Sequence, residues 1–320
     1  MSDSVEGPAR KCTRVEDTSD EAGVRATEVT EGSRKRDNEF WFEDGTVILV
    51  ARNVEFRIYK GLLVHHSPVF RDMLSLPQPP DSLEADSPPC SVVPLSDSPE
   101  DLRYVLRVYM TCSDLSPFTP DNPLFNLISA CIRLGHKYQM TKLLDHSVAY
   151  LKSWYPADME AWQKHWPVLL AGFSDFHAIV VVNLARLTGE TSILLAAFLH
   201  CHMLEERVLD GFNQVDGSHE DLTLEDLKCC IKAKGELAAA SLVIYVCMYQ
   251  ASISDKCATR DTCLTGFREA LALLDWYSDI VMKQDPFRPV LRMYETPDVV
   301  LCSHCAGLAM ERAREAQEEF

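Results

Sequence analysis

The chain has 320 residues, 47% of them hydrophobic and 25% charged, enough apolar material for one large or two modest folded units. Its 48 acidic against 31 basic residues leave a formal net charge of −17, which repels phosphate backbones and argues against direct nucleic-acid binding. The longest apolar run, Leu237 to Tyr249, falls short of the roughly 18–20 residues that cross a bilayer, so a membrane span is not expected.

The opening residues, MSDSVEGPARKCTRVEDTSD, are charged and lack the apolar centre of a secretory leader. The expectation is a soluble intracellular protein, cytoplasmic or nuclear, whose twelve cysteines are buried thiols, metal ligands or catalytic groups rather than disulfides. Residues 1–37 show no apolar period and predict a disordered tail, with Arg34-Lys35-Arg36 as a solvated basic patch. From Phe40 the texture changes. Phe40-Trp41-Phe42 leads into the turn Glu43-Asp44-Gly45, then come Thr46–Val50 and the alternating Val54–Ile58, joined at Arg52-Asn53. This pattern predicts an antiparallel hairpin.

Two short helices should follow. Leu62, Leu63 and His66 share one side of the first. Ser67 caps the second, Pro68 stands at its first position, and Val69, Phe70, Met73 and Leu74 form its apolar face. The stretch from Pro77 to Pro89 predicts a loop, and Ser91–Leu95 an edge strand because it contains Pro94. Three amphipathic helices come next: one capped by Ser98, one carrying Leu124 to Leu134, and one carrying Leu144, Val148 and Leu151. Residues 157–320 predict an almost wholly helical region, with apolar segments at 178–187, 193–204, 224–249 and 264–282 and a charged, partly exposed last helix from Ala306. Thr223 caps the third of those segments, with Asp226 in its first turn.

The run DGTVILVARNVEFRIYKGLLVHHSPVFRDML, from Asp44 to Leu74, resembles the opening of the BTB/POZ family. The matching positions are Asp44, Val50, Phe56, Lys60, Leu63, Ser67, Pro68, Phe70, Met73 and Leu74. The later order of edge strand and three helices agrees as well. Tyr59 stands where the family commonly has histidine, and the proline-rich loop before Ser91 is long. The resemblance covers residues 38–155 and is nearest to fungal BTB proteins with a helical C-terminal extension. The implied fold class is α+β, a small sheet covered by helices in residues 38–155, followed by a mainly α-helical domain in residues 156–320. A hairpin alone is marginal in water, so helical cover over its apolar face is expected on physical grounds too. By resemblance, the function is that of an adaptor or scaffold that binds protein partners or forms a homodimer. Adaptors that present substrates to a cullin-type ubiquitin ligase are one branch of the family. A BTB transcriptional regulator stabilised by structural zinc is the alternative.

Four cysteines carry the main chemical signal: Cys257, Cys263, Cys302 and Cys305. Cys302-Ser303-His304-Cys305 is a C-x-x-C knuckle whose two thiolates can face one ion, and the other pair would complete a tetrahedral structural zinc site. The fungal proteins resembled here carry a comparable pair before a long helix and a C-x-x-C after it. The competing readings are four ordinary thiols, a ligand set in which His304 substitutes, and a thioredoxin-like redox motif, which needs a βαβ setting. His200-Cys201-His202 and Cys229-Cys230 place neighbours about 100° apart on a helix and predict packing rather than ligation. Trp154, Trp162 and Trp166 predict packing at the junction of the two regions. No phosphate-binding loop, dinucleotide fingerprint, H-E-x-x-H or G-x-S-x-G occurs, so no enzyme is expected.

Overall fold

The computed structural model describes residues 34–76, 90–110, 124–165, 173–283, 285–290 and 299–320. Its main sheet has four strands: β1 (Lys35–Trp41), β2 (Val47–Ala51), β3 (Val54–Ile58) and β4 (Ser91–Leu95). The order is β1-β3-β2-β4, with β2 and β3 antiparallel and the outer strands parallel to their neighbours. The hairpin turn is Arg52-Asn53, as predicted, with Arg52 in the left-handed region at φ 52°. Val47, Leu49, Phe56 and Ile58 are fully buried, which follows from the alternating pattern of β3 and the near-continuous apolar run of β2. β4, with Pro94, lies at an edge of the sheet.

The first strand corrects the expected tail, whose boundary stood at residue 37. Residues 1–33 lie outside the described residues, but Lys35, Arg36 and Asp37 belong to β1. Arg34, Lys35 and Arg36 stay exposed, but the acids of this strand are paired across the fold. Asp37 accepts from the Glu39 and Phe40 amides and meets Arg103 at 2.7 Å; Glu39 meets Arg107 at 2.6 Å. The Arg36 guanidinium sits 4.5 Å from the centre of the Trp41 ring. Burial raises the Asp37 carboxyl, yet Arg103 and the two amides prevail and hold it below the usual range.

Helices α1 (Lys60–His66) and α2 (Pro68–Ser75) flank Ser67, which is fully buried. Its hydroxyl accepts from the Phe70 amide at 3.0 Å and donates to the Tyr138 carbonyl at 2.6 Å, so one side chain caps α2 and fastens it to a later segment. The proline-rich loop 77–89 lies outside the described residues. Ser98 caps α3 (Pro99–Met110), accepting from the Glu100 and Asp101 amides at 3.2 and 3.4 Å. α4 (Phe125–Lys137) and α5 (Thr141–Trp154) complete the cover. α4 packs on both α3 and α5.

The rest is mainly helical: α6 (Met159–His165), α7 (His177–Thr188), α8 (Leu194–Met203), α9 (Leu224–Met248), α10 (Arg260–Ala272), α11 (Leu274–Met282) and α12 (Ser303–Glu318). Three details differ from the sequence expectation. A two-stranded ribbon, β5 (Phe212–Asn213) with β6 (His219–Glu220), interrupts the helical run. The segment 264–282 is two helices rather than one. And α12 is not merely a charged surface helix, because Cys305, Ala309, Ala313 and Ala316 are buried at helical spacing where it packs on α9.

The apolar cores divide elsewhere than the expected boundary at 155/156. α7, largely buried from Ala178 to Ala185, packs on α4 and joins the same core as the sheet, as do Tyr155, Trp162 and α8. A second core gathers around the C-terminal half of α9 with α10, α11 and α12. α9, about 37 Å long at 1.5 Å per residue, runs through both: Leu227, Cys230 and Leu237 pack on the first, Ile244 to Tyr249 on the second.

Candidate metal centre

The structure brings Cys257, Cys263, Cys302 and Cys305 together although up to 48 positions separate them in sequence, as 305 minus 257 shows. Their sulfurs all lie within 4.8 Å of one another, and Cys302 Sγ is 3.6 Å from Cys257 Sγ. A tetrahedron with metal–sulfur bonds of about 2.3 Å requires sulfurs about 3.8 Å apart, so only small adjustments separate the observed group from a metal cage.

Each cysteine is positioned by a different local device. Cys257 lies in the turn after α9, its amide donating to the Ser254 carbonyl at 3.0 Å. Cys263 sits in the first turn of α10 and is fully buried. Cys302 is the residue before α12, and Cys305 is in the first turn of that helix. The Cys302 amide donates to the Cys263 sulfur at 3.2 Å, and the Thr259 hydroxyl is in hydrogen-bond contact with it at 3.3 Å. Contacts of this kind hold the sulfur in a fixed orientation.

A glycine makes the approach of the knuckle possible. A Cβ on Gly266 would stand 2.6 Å from the Val300 carbonyl oxygen, so only glycine lets the chain leading to Cys302 lie directly on α10. Sequence reasoning missed both Thr259 and Gly266. Their positions four before and three after Cys263 put them on the helix side that carries the sulfur, a signal visible only once α10 is known to hold a ligand.

The thiols are not equivalent. The amide of Cys305, aided by hydrogen bonds with Cys257, Cys263 and Cys305, lowers Cys302 to about 6 against the opposing effect of burial. Burial, with hydrogen bonds to the other three, pushes Cys305 up to about 12. The group therefore shares its protons, and a bound cation would release them.

The other sequence candidates do not form sites. His304 is exposed and stands outside the cluster. Among the described residues, no other set of three or more potential ligands converges. Within 200–202, His200 faces Asp175 at 3.8 Å and packs edge-on to Trp162, whereas His202 is buried away from it. Cys229 is exposed while Cys230 is buried. The knuckle also departs from a thioredoxin-like site, since two further cysteines close over it. Trp162 is buried, and its indole N–H donates to Asp285 at 2.8 Å; Trp154 packs against the first core, and Trp166 lies outside the described residues.

Compared with known proteins, the chain matches no protein-family model and no curated sequence.

Proposed function

We propose that this protein is a protein-interaction scaffold of BTB/POZ type whose C-terminal helices are clipped by one structural zinc ion on Cys257, Cys263, Cys302 and Cys305. The observation that carries the metal reading is the convergence of four sulfurs, three of them on buried residues, from three separate segments of the second core. Four cysteines fill a tetrahedron and leave no position for a water or substrate, so the ion would hold helices together rather than activate a ligand. The contacts that orient the Cys263 sulfur and the lowered Cys302 thiol suit the ligands such an ion needs.

The scaffold reading draws its support from element order. A hairpin, a helix pair split at a serine-proline turn, an edge strand and three covering helices occur in the sequence expected of the resembled family. On this reading the N-terminal unit binds itself or another protein, and the cullin that serves BTB adaptors is the first partner to try.

The experiment combines metal analysis with association. The purified chain should contain one zinc per molecule, and light scattering should show either a dimer or a complex with the N-terminal region of that cullin. A metal-free protein of unchanged stability would remove the zinc reading. A strict monomer with no affinity for the cullin would remove the scaffold reading.

A further inference from the structure

We infer that the cleft between α6, α8 and the end of α12 receives an apolar side chain from a partner protein segment that carries a lysine or arginine beside it. The inference rests on the protein-interaction reading and gives it a second docking site, remote from the cysteine centre. The cleft has a volume of about 380 Å³, within the range of about 300–1,000 Å³ typical of occupied binding sites.

Its lining chooses the chemistry of the occupant. Met159, Trp162 and Leu199 contribute apolar surface, and Leu195 and Phe320 are each 59% exposed. Large apolar side chains left in water on the walls of a cavity mark an interaction site more than a monomer's ordinary surface does. The polar atoms of the lining are already engaged. The Trp162 indole donates to Asp285, and the Gln317 amide donates to the Pro286 and Arg288 carbonyls at 2.8 and 2.9 Å. A polar ligand would find few free partners inside.

The two carboxylates of the lining are different. Asp158 and Glu318 belong to exposed residues and form no ion pair among the described residues. Asp158 does accept from the Ala161 amide at the start of α6, which holds it in place. An apolar cleft with unpaired acids around it complements an apolar anchor with a neighbouring cation. Because Leu195 and Phe320 stand so far in solvent, a polypeptide can lie across the opening with its backbone in water and one side chain inside.

The test is a random-peptide library panned on the full chain, with selected peptides then synthesised and titrated against three proteins: wild type, Leu195→Glu and Glu318→Lys. Both substitutions fall on exposed positions, and Asp158 is left intact because it caps α6. Selected peptides should carry leucine, phenylalanine or tryptophan next to lysine or arginine, and each variant should weaken them about tenfold or more. Peptides without a basic residue, or peptides indifferent to both substitutions, would overturn the proposal, as would failure to enrich any peptide over the Leu195→Glu protein. Dodecylamine is titrated in parallel; if it binds more tightly than every peptide and competes with them, the site takes amphiphilic amines instead of a partner segment. The N-terminal unit's dimer and cullin measurements do not involve this cleft, so either reading can fail alone.

Discussion

The two apolar cores are built from different materials. The first buries Phe56, Phe70, Phe125, Leu49, Ile58 and many residues like them beneath the sheet and along α7. In the second, half of the buried residues are alanine or cysteine: Cys257, Cys263, Cys305, Ala270, Ala309, Ala313 and Ala316. Small side chains let α12 approach α9 closely, but each removes little apolar area from water, at roughly 25 cal/mol per Å². A core of that kind gains from a cross-link, and the four sulfurs stand at its end. The contrast teaches that the same chain fills one region with bulky side chains and the other with small ones, leaving a cysteine cluster at its end.

The sharpest way to break this comparison is to disrupt the four-cysteine cluster and with it the proposed zinc. Cys263→Ser, or a strong chelator, should melt the second core at a temperature where the first still holds, because structural zinc in small domains supplies about 10 kcal/mol or more. Near-ultraviolet circular dichroism and amide exchange along α10 and α12 would show it, and a uniform loss across both cores would contradict it. Phe56→Ala should cost about 3–5 kcal/mol by urea denaturation, with the zinc content unchanged, since Phe56 is fully buried and distant in sequence from every ligand.

A pH titration sharpens the contrast. Burial lowers His177 to about 4, where it stacks on Phe125 with centroids 3.8 Å apart. Its folded pKa is below the unfolded value of about 6.5, so its contribution is intact above pH 6.5 and is lost as pH falls toward 4. The loss reaches about 3 kcal/mol at most. His177→Phe should flatten the stability profile of the first core in that window relative to wild type, measured by urea midpoints at successive pH values. The smallest effect concerns the link between the regions. Trp162→Phe leaves the buried Asp285 without its indole donor and should cost about 1–3 kcal/mol, read as a lower thermal midpoint.

Local chemistry was legible where it repeats or punctuates. The alternation in Val54–Ile58 and the serine-proline turn at Ser67 announced their elements, and the Thr223 cap did so for α9. The clustering of the four cysteines was legible in part because C-x-x-C is a local motif that restricts geometry. Its companions were weaker signals, since nothing in the sequence says that the turn at Cys257 folds back onto a knuckle 45 residues later, as 302 minus 257 gives.

What the sequence determined by itself was set by short-range physics: periodicity, capping and, among the described residues, the absence of any helix long and apolar enough to cross a membrane. Only the tertiary structure decided that the charged stretch at Lys35 is a strand, because its stability comes from Arg103 and Arg107 on α3, far along the chain. Likewise only packing decided that the alanines of α12 are core. An alanine is nearly neutral between water and the interior, so its side of the helix is chosen by the neighbour it meets and not by its own hydrophobicity.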